Sequence, residues 1–182
     1  MNLYFRLIWI LLRSRFAARI GLLDESRLKF RAWPLDCDIN FHLTNSRYFA
    51  MCDLCRTYFL GQVGILFKVI RRKCLPVAQA QEITYFRPIH PFQRIEIRSR
   101  LSYWDDKYWY AEHRFFAANK LCAVLQVRGV FVQGRKVIPF NDVLAMVDEE
   151  AETPDKPVAV KYWQSLIESR KIGAEDSERR SR

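Results

Sequence analysis

Residues 47–60 read RYFAMCDLCRTYFL, and no other stretch constrains the fold more. At helical spacing, Tyr48, Phe49, Met51, Leu54, Cys55, Tyr58 and Phe59 cover most of the circumference. A helix that is apolar nearly all round must be enclosed by other elements. Only Asp53 and Arg56 break the pattern, three residues apart on one side, where they can pair. Gly61 and Gly64 then weaken or break the helix. What encloses it is legible further on. Residues 76–87, 92–104, 107–118 and 120–133 read as strands. In the second, Ile95, Ile97 and Leu101 alternate with Arg94, Glu96, Arg98 and Arg100. Asp105-Asp106 and Asn119-Lys120 are turn candidates, and short turns imply antiparallel neighbours. Upstream, residues 27–33 alternate Leu28, Phe30 and Ala32 against Arg27, Lys29 and Arg31, a strand with one buried face. The order predicts an α+β fold in which a twisted antiparallel sheet wraps one apolar helix.

The termini are extensions of this unit. Residues 1–24 carry a hydrophobic helix, MNLYFRLIWILLRSRFAARI over 1–20, with arginines at Arg6, Arg13, Arg15 and Arg19. The apolar run 7–12 is far short of the roughly 20 residues a membrane-spanning helix needs. It is also weak as a secretory signal, since the run is short and arginines stand where a cleavage site of small residues belongs. Such a helix packs on its own domain or a partner, or lies on a membrane surface. The enclosed-helix domain is expected over 25–135 and a helical extension over 136–172, with helices near 141–147 and 158–169. Residues 173–182, GAEDSERRSR after Ile172, have the composition of a disordered tail.

The formal net charge of +10 points to an anionic partner: nucleic acid, an acidic membrane face, or a phosphorylated small molecule. A nucleic-acid interface is not expected, because Arg94, Arg98 and Arg100 share a strand face without interleaved aromatic residues. Five cysteines, an odd number, fit free thiols in a reducing, cytoplasmic setting. Cys52 and Cys55 have redox-motif spacing but lie inside the helical run, where thiols act as core residues. No Cys or His follows at ligand spacing, so no metal is expected. No nucleophile-elbow serine or glycine-rich phosphate loop is present. His90, in a turn, and His113, in a strand, read as structural.

The stretch WPLDCDINFHLTNSRYF, residues 33–49, stands apart by gathering polar groups at the mouth of the apolar helix. Asp, Asn, Thr and Ser before a helix are common caps, and Ser46 is placed to cap this one. The same groups can also form a site. Asp38 lies just before the helix, and first-turn amides near Asn45 and Ser46 have no acceptor within the helix.

DCDINFHLTNSRY resembles the D-x-D-x-x-G-H-x-N-N-x-R-Y signature of hot-dog acyl thioesterases. Asp36, Asp38, His42, Asn45, Arg47 and Tyr48 match, while Phe41 replaces the usual Gly and Thr44 the first Asn. Asp38, Asn40 and His42 also match the D-x-N-x-H triplet of plant acyl-carrier-protein thioesterases. The acidic or thiol residue those enzymes carry downstream has no equivalent in YFRPIHP. Most of residues 1–135, including RSRLSYWDDKYWYAEHRF, is similar to the thioesterase superfamily member six proteins. The resemblance implies a hot-dog fold and hydrolysis of acyl-CoA, or of an acyl carrier protein thioester, without a cofactor. It implies assembly as a homodimer or tetramer. Asp38 would be nucleophile or general base, with Asn40 and His42 orienting water or Asp38. Asn45, Ser46, Arg47 and Tyr48 would face the substrate. The basic run Arg71, Arg72 and Lys73 after the buried helix reads as a solvated end, or as a contact for the phosphates of coenzyme A. The alternative is an acyl- or lipid-binding protein that does not cleave, consistent with Phe41 and the missing downstream acid.

Overall fold

The computed structural model describes residues 3–145 and 151–180. Helix α1 (Leu3–Arg15) is followed by β1 (Ser26–Arg31), a 3-10 turn (Pro34–Asp36), α2 (Asn45–Val63) and α3 (Leu66–Arg71). Five further strands follow: β2 (Cys74–Tyr85), β3 (Arg94–Trp104), β4 (Trp109–Ala117), β5 (Lys120–Gln133) and β6 (Lys136–Ile138). Helices α4 (Phe140–Ala145) and α5 (Val158–Arg180) close the chain.

The sheet has the order β1-β3-β4-β5-β2, with β6 on β5, and every pairing is antiparallel. It curls around α2, which is the hot-dog arrangement expected from the sequence. Ile95, Ile97, Phe115, Leu125 and Val127 line its inner face and share one core with Met51, Cys52 and Leu54 of α2. The charged alternates of β3 turn outward, where Glu96 and Glu112 pair with Arg98, Arg100 and Arg114.

Local departures from the sequence expectation have physical causes. The β4–β5 turn falls one residue early, on Ala118 and Asn119. Both have positive φ, 48° and 60°, as a two-residue hairpin turn matched to strand twist requires. Helix α2 does not break at Gly61. A Cβ there would collide with Ser14 of α1, so this glycine permits close helix crossing. Gly64, in the left-handed region at φ 91°, ends the helix. The N-cap is Thr44, not Ser46, and makes no side-chain cap bond. The sheet runs past residue 135 through β6, and Phe140, Val143 and Leu144 of α4 join the main core.

α1 lies along α2, with Arg6, Ile10 and Ser14 buried against the domain. α5 covers the sheet's outer face, where Val160, Trp163 and Ile167 surround Tyr110. Gln164 Nε2 donates to Tyr110 Oη at 2.7 Å. α5 continues to Arg180, beyond Ser169 and through most of the segment read as a disordered tail. Ala174, Glu175, Glu178, Arg179 and Arg180 are good helix formers, and local propensity here outweighs a charged, apolar-poor composition.

Candidate functional site

The site begins where the backbone leaves β1. A 3-10 turn at Pro34–Asp36 turns the chain back, an isolated bridge joins Cys37 to Leu43, and the residues between them form a tight loop. Asp38 organises it. Its backbone N–H donates to the His42 carbonyl at 2.8 Å, and its carbonyl accepts from Phe41 N–H at 3.0 Å. Its Oδ1 accepts from the amides of Asn40 (2.9 Å) and His42 (3.1 Å); Oδ2 takes neither. A carboxylate fed by backbone N–H groups is stabilised in its charged form. The His42 amide lowers the Asp38 pKa most; slight desolvation opposes it, and the Asn40 amide, the His42 ring and the Asn40 side chain add to the lowering.

Closing this loop requires a left-handed residue, and Phe41 supplies it at φ 57°. That is where the hot-dog thioesterase signature carries glycine, the residue that adopts this conformation without steric cost. The Phe41 ring points to solvent, 69% exposed, and does not line the cleft beside Asp38.

That cleft has a volume of about 370 Å³ and is walled by Asp38, His42, Leu43, Asn45 and Tyr48 on one side and by Tyr85, Phe86, Arg87 and Pro88 on the other. Tyr48 is the buried wall, edge-on to Tyr85 (5.2 Å) and Phe115 (4.9 Å). Burial raises its phenol pKa, with lesser contributions from Cys122, Tyr85 and Cys37. The first-turn amides of Asn45 and Ser46 have no backbone acceptor among the described residues. They therefore present the positive end of α2 beside the Asp38 carboxylate.

Not every residue expected at the site faces the cleft. Asn40 serves Asp38 rather than the cleft wall. Ser46 is exposed, with its hydroxyl 3.3 Å from that of Thr44. Arg47 turns back, its Nε 3.3 Å from Oδ1 of buried Asp36. Arg71, Arg72 and Lys73 lie beyond the Cys74 end of β2, whereas the cleft lies at its Tyr85 end. The twelve residues of β2 separate them from the cleft, a span of up to about 40 Å along the strand at 3.3 Å per residue. Arg87 is the cation on the cleft wall instead.

His90, read as structural, comes to the site. Its ring meets that of His42, and its Nδ1 lies 3.2 Å from the Phe41 carbonyl. The Ile89 carbonyl also accepts from Leu43 N–H at 2.8 Å, tying the two segments together. Nearly fifty residues separate these partners in sequence, and nothing in either segment announces the pairing. His113, on β4, lies inside the core. It is fully buried, with Nδ1 2.7 Å from Ser99 Oγ, and desolvation chiefly, then the Arg56 charge, drives its pKa well down. Cys52 and Cys55 are buried free thiols. Burial pushes Cys55 up to about 12, against opposing effects of Ser99 and Arg56. Among the described residues no cluster of three or more His, Cys, Asp or Glu can hold a metal ion, and no helix is long and apolar enough to cross a membrane.

Helix, sheet and polar loop together define a hot-dog protein with its cleft at the N-terminus of the enclosed helix. The chain belongs to the thioesterase-like superfamily, whose family model matches residues 32–147. It is 30% identical over 166 residues to protein THEM6 of Xenopus laevis, covering 86% of this chain and 79% of that one. It is also 30% identical over 128 residues to a protein of Saccharomyces cerevisiae named a probable thioesterase, covering 68% of this chain and 55% of that one. In fold it is similar to a variant of 4-hydroxybenzoyl CoA thioesterase solved with 4-hydroxybenzoyl CoA. The TM-score is 0.61 at 12% identity, over 67% of this chain and 97% of that one.

Proposed function

We propose that this protein hydrolyses acyl-CoA thioesters to free acid and CoA, with Asp38 as the reacting carboxylate. One observation carries the proposal: a carboxylate that accepts from two backbone amides shares a cleft with Asn45, the first residue of α2, whose amide has no backbone acceptor among the described residues. Hydrolysis needs both. The carboxylate either takes a proton from water as the water attacks the thioester carbonyl, or attacks it directly to form an anhydride that water then opens. Either way the carbonyl oxygen becomes an oxyanion, and the amides of Asn45 and Ser46 are its donors. One such donor is worth about 3 kcal/mol in comparable sites. The C–S bond breaks, and the CoA thiolate leaves and is protonated. Asn40 and His42 hold Asp38 through their amides, Tyr48 forms the wall against the acyl group, and Arg87 faces the CoA phosphates. Family membership and the CoA ligand of 4-hydroxybenzoyl CoA thioesterase support the substrate class.

The rival function is acyl binding without cleavage. It is favoured by the far wall of the cleft, where Tyr85, Phe86, Arg87 and Pro88 provide no acid or thiol. Thiol release from acyl-CoA of graded chain length separates the two. Asp38→Asn keeps size and loses the reacting charge, so turnover should fall by about 100-fold or more with the protein still folded. Wild-type turnover in that variant would remove Asp38 from the chemistry. A wild type inert at every chain length would leave the binding function.

Two partners complete the proposal. β2 is an outer strand of the sheet with Leu75, Val77 and Tyr85 exposed, an edge suited to pairing with a second copy. The outward face of α1 is apolar with arginines at its C-terminal end, a composition suited to a lipid surface. The five free thiols fit a cytoplasmic setting.

A further inference from the structure

We infer that Arg6, on the N-terminal helix, is a positioning residue for the Asp38 site, an inference that rests on the thioesterase function proposed above. Arg6 lies outside the residues matched by the family model, which begins at residue 32, and thirty positions before its partner. Its side chain is only 3% exposed, and its Nη2 lies 2.5 Å from Oδ2 of Asp36, which is fully buried. An arginine turned inward from a helix otherwise rich in Leu, Ile and aromatic residues is costly unless its charge is met. Here the charge meets the one carboxylate on which the site loop hangs.

Asp36 holds three parts of the site at once. Its Oδ2 also accepts the Trp33 amide at 3.1 Å, which fixes the turn leading into the loop. Its Oδ1 faces Nε of Arg47, in the first turn of α2, at 3.3 Å. Its main-chain carbonyl accepts from Thr44 N–H at 3.0 Å, and Thr44 is the N-cap of α2. Asp38 is two residues beyond Asp36, and the Asn45 amide one residue beyond Thr44. The reacting carboxylate and the oxyanion donors are therefore both referred to Asp36.

Removing Arg6 leaves the buried carboxylate with the Trp33 amide and with Arg47 as its remaining ion-pair partner, at a longer distance. A buried ion that loses a partner must draw in water or move. Movement of Asp36 shifts Asp38 and the first turn of α2 relative to each other. A misplacement of about 1 Å can cost on the order of 100-fold in rate. α1 is thus joined to the scaffold of the site through Arg6, which carries the registration.

The test compares Arg6→Met, Arg6→Lys and Ile10→Ala in the full-length protein. Arg6→Met keeps chain length and loses the charge; Arg6→Lys restores the charge; Ile10→Ala loosens the same helix without touching the ion cluster. Each is assayed for kcat and KM on an acyl-CoA and, by NMR, for hydrogen exchange at the Asn40 and His42 amides. Arg6→Met should lower kcat by tenfold or more with KM within about threefold, and should speed exchange at both amides. Arg6→Lys should recover most of kcat, and Ile10→Ala should leave kcat and exchange near wild type. Wild-type kcat and exchange in Arg6→Met would overturn the inference. So would an equal fall in kcat in Ile10→Ala, which would assign the effect to helix packing in general. If the wild type turns over no acyl-CoA, the thioesterase function fails separately. Exchange then decides positioning alone: faster in Arg6→Met only supports it, and unchanged overturns it.

Discussion

The imidazoles of His42 and His90 meet edge-on with ring centroids 5.1 Å apart, and His90 Nδ1 faces the Phe41 carbonyl at 3.2 Å. His90 therefore braces the left-handed end of the Asp38 loop from the β2–β3 connection. His90→Ala removes that brace without touching Asp38. It should lower kcat about tenfold, as loss of positioning does, while leaving the melting temperature nearly unchanged because the side chain is exposed. Steady-state turnover with a parallel melt checks both, and an unchanged kcat would limit His90 to the surface.

Asp38 should titrate below the ordinary value of about 3.9 for an aspartate, because amides of the folded loop stabilise its charged form. The sign follows from linkage. A carboxyl whose pKa is depressed on folding contributes stability above the unfolded value, and that contribution is lost as pH falls through the folded one. The carboxylate stays charged throughout the mildly acidic range, so its protonation should not produce the acid limb of kcat/KM above about pH 4. Carbon-13 NMR of the Asp38 carboxyl against pH gives the midpoint directly. A midpoint above 4 would contradict the loop geometry.

Much of this was legible because it repeats with a short period. The enclosure of residues 47–60, the alternation of Ile95, Ile97 and Leu101, and the aspartate turn after β3 are all local signals. Asp105 Oδ1 does accept the Lys107 and Tyr108 amides, as that turn requires. The pairing of Asp53 with Arg56 was legible for the same reason. What was not legible depends on partners far along the chain. Gly61 looks like a helix breaker until Ser14 is seen against it. Ser46 looks like a cap until the Asp36 carbonyl fixes Thr44 there. Arg47 looks available to a ligand until Asp36 takes it, and His90 looks idle until β2 and β3 carry it to Phe41.

His113 makes stability depend on pH in the opposite part of the range from Asp38. Burial keeps it neutral in the fold, whereas the unfolded chain binds a proton near pH 6.5. Between the depressed folded value and 6.5 the unfolded state holds more protons, so stability rises with pH there and is full above 6.5. Going from neutral pH to 5.5 should therefore lower stability through this group. Urea denaturation at both pH values, in wild type and His113→Gln, isolates it. The variant should show a smaller drop, and equal drops would assign the pH dependence elsewhere.

The free edge of β2 carries its own expectation. Pro76 lacks a donor and suits an outer strand, while exposed Leu75 and Val77 leave the edge apolar. Pairing of two copies along this edge should give twice the chain mass of 21.7 kDa in sedimentation at micromolar concentration. Val77→Lys should shift the protein toward the monomer, as charge on an edge strand opposes pairing. A wild-type monomer at that concentration would exclude the pairing.

The outer face of α1 is strongly apolar. Tyr4, Phe5, Ile8, Leu12 and Phe16 are each more than half exposed, while Arg6, Ile10 and Ser14 on the opposite side are spent on the domain. Arg13, Arg15 and Arg19 stand exposed at the C-terminal end, and the Arg13 guanidinium lies over the Trp9 ring at 5.0 Å. An apolar helix face flanked by arginines matches an anionic bilayer, whose acyl boundary takes the side chains and whose headgroups meet the charge. Wild-type protein should float with phosphatidylserine-containing vesicles, bind phosphatidylcholine vesicles more weakly, and lose part of its binding at high salt. Ile8→Glu with Leu12→Glu should abolish flotation while leaving the melting temperature near wild type, because both side chains point away from the core. If the wild type stays in solution beside anionic vesicles, and the double variant instead lowers the mass in sedimentation, the face is a protein contact and the lipid assignment is wrong.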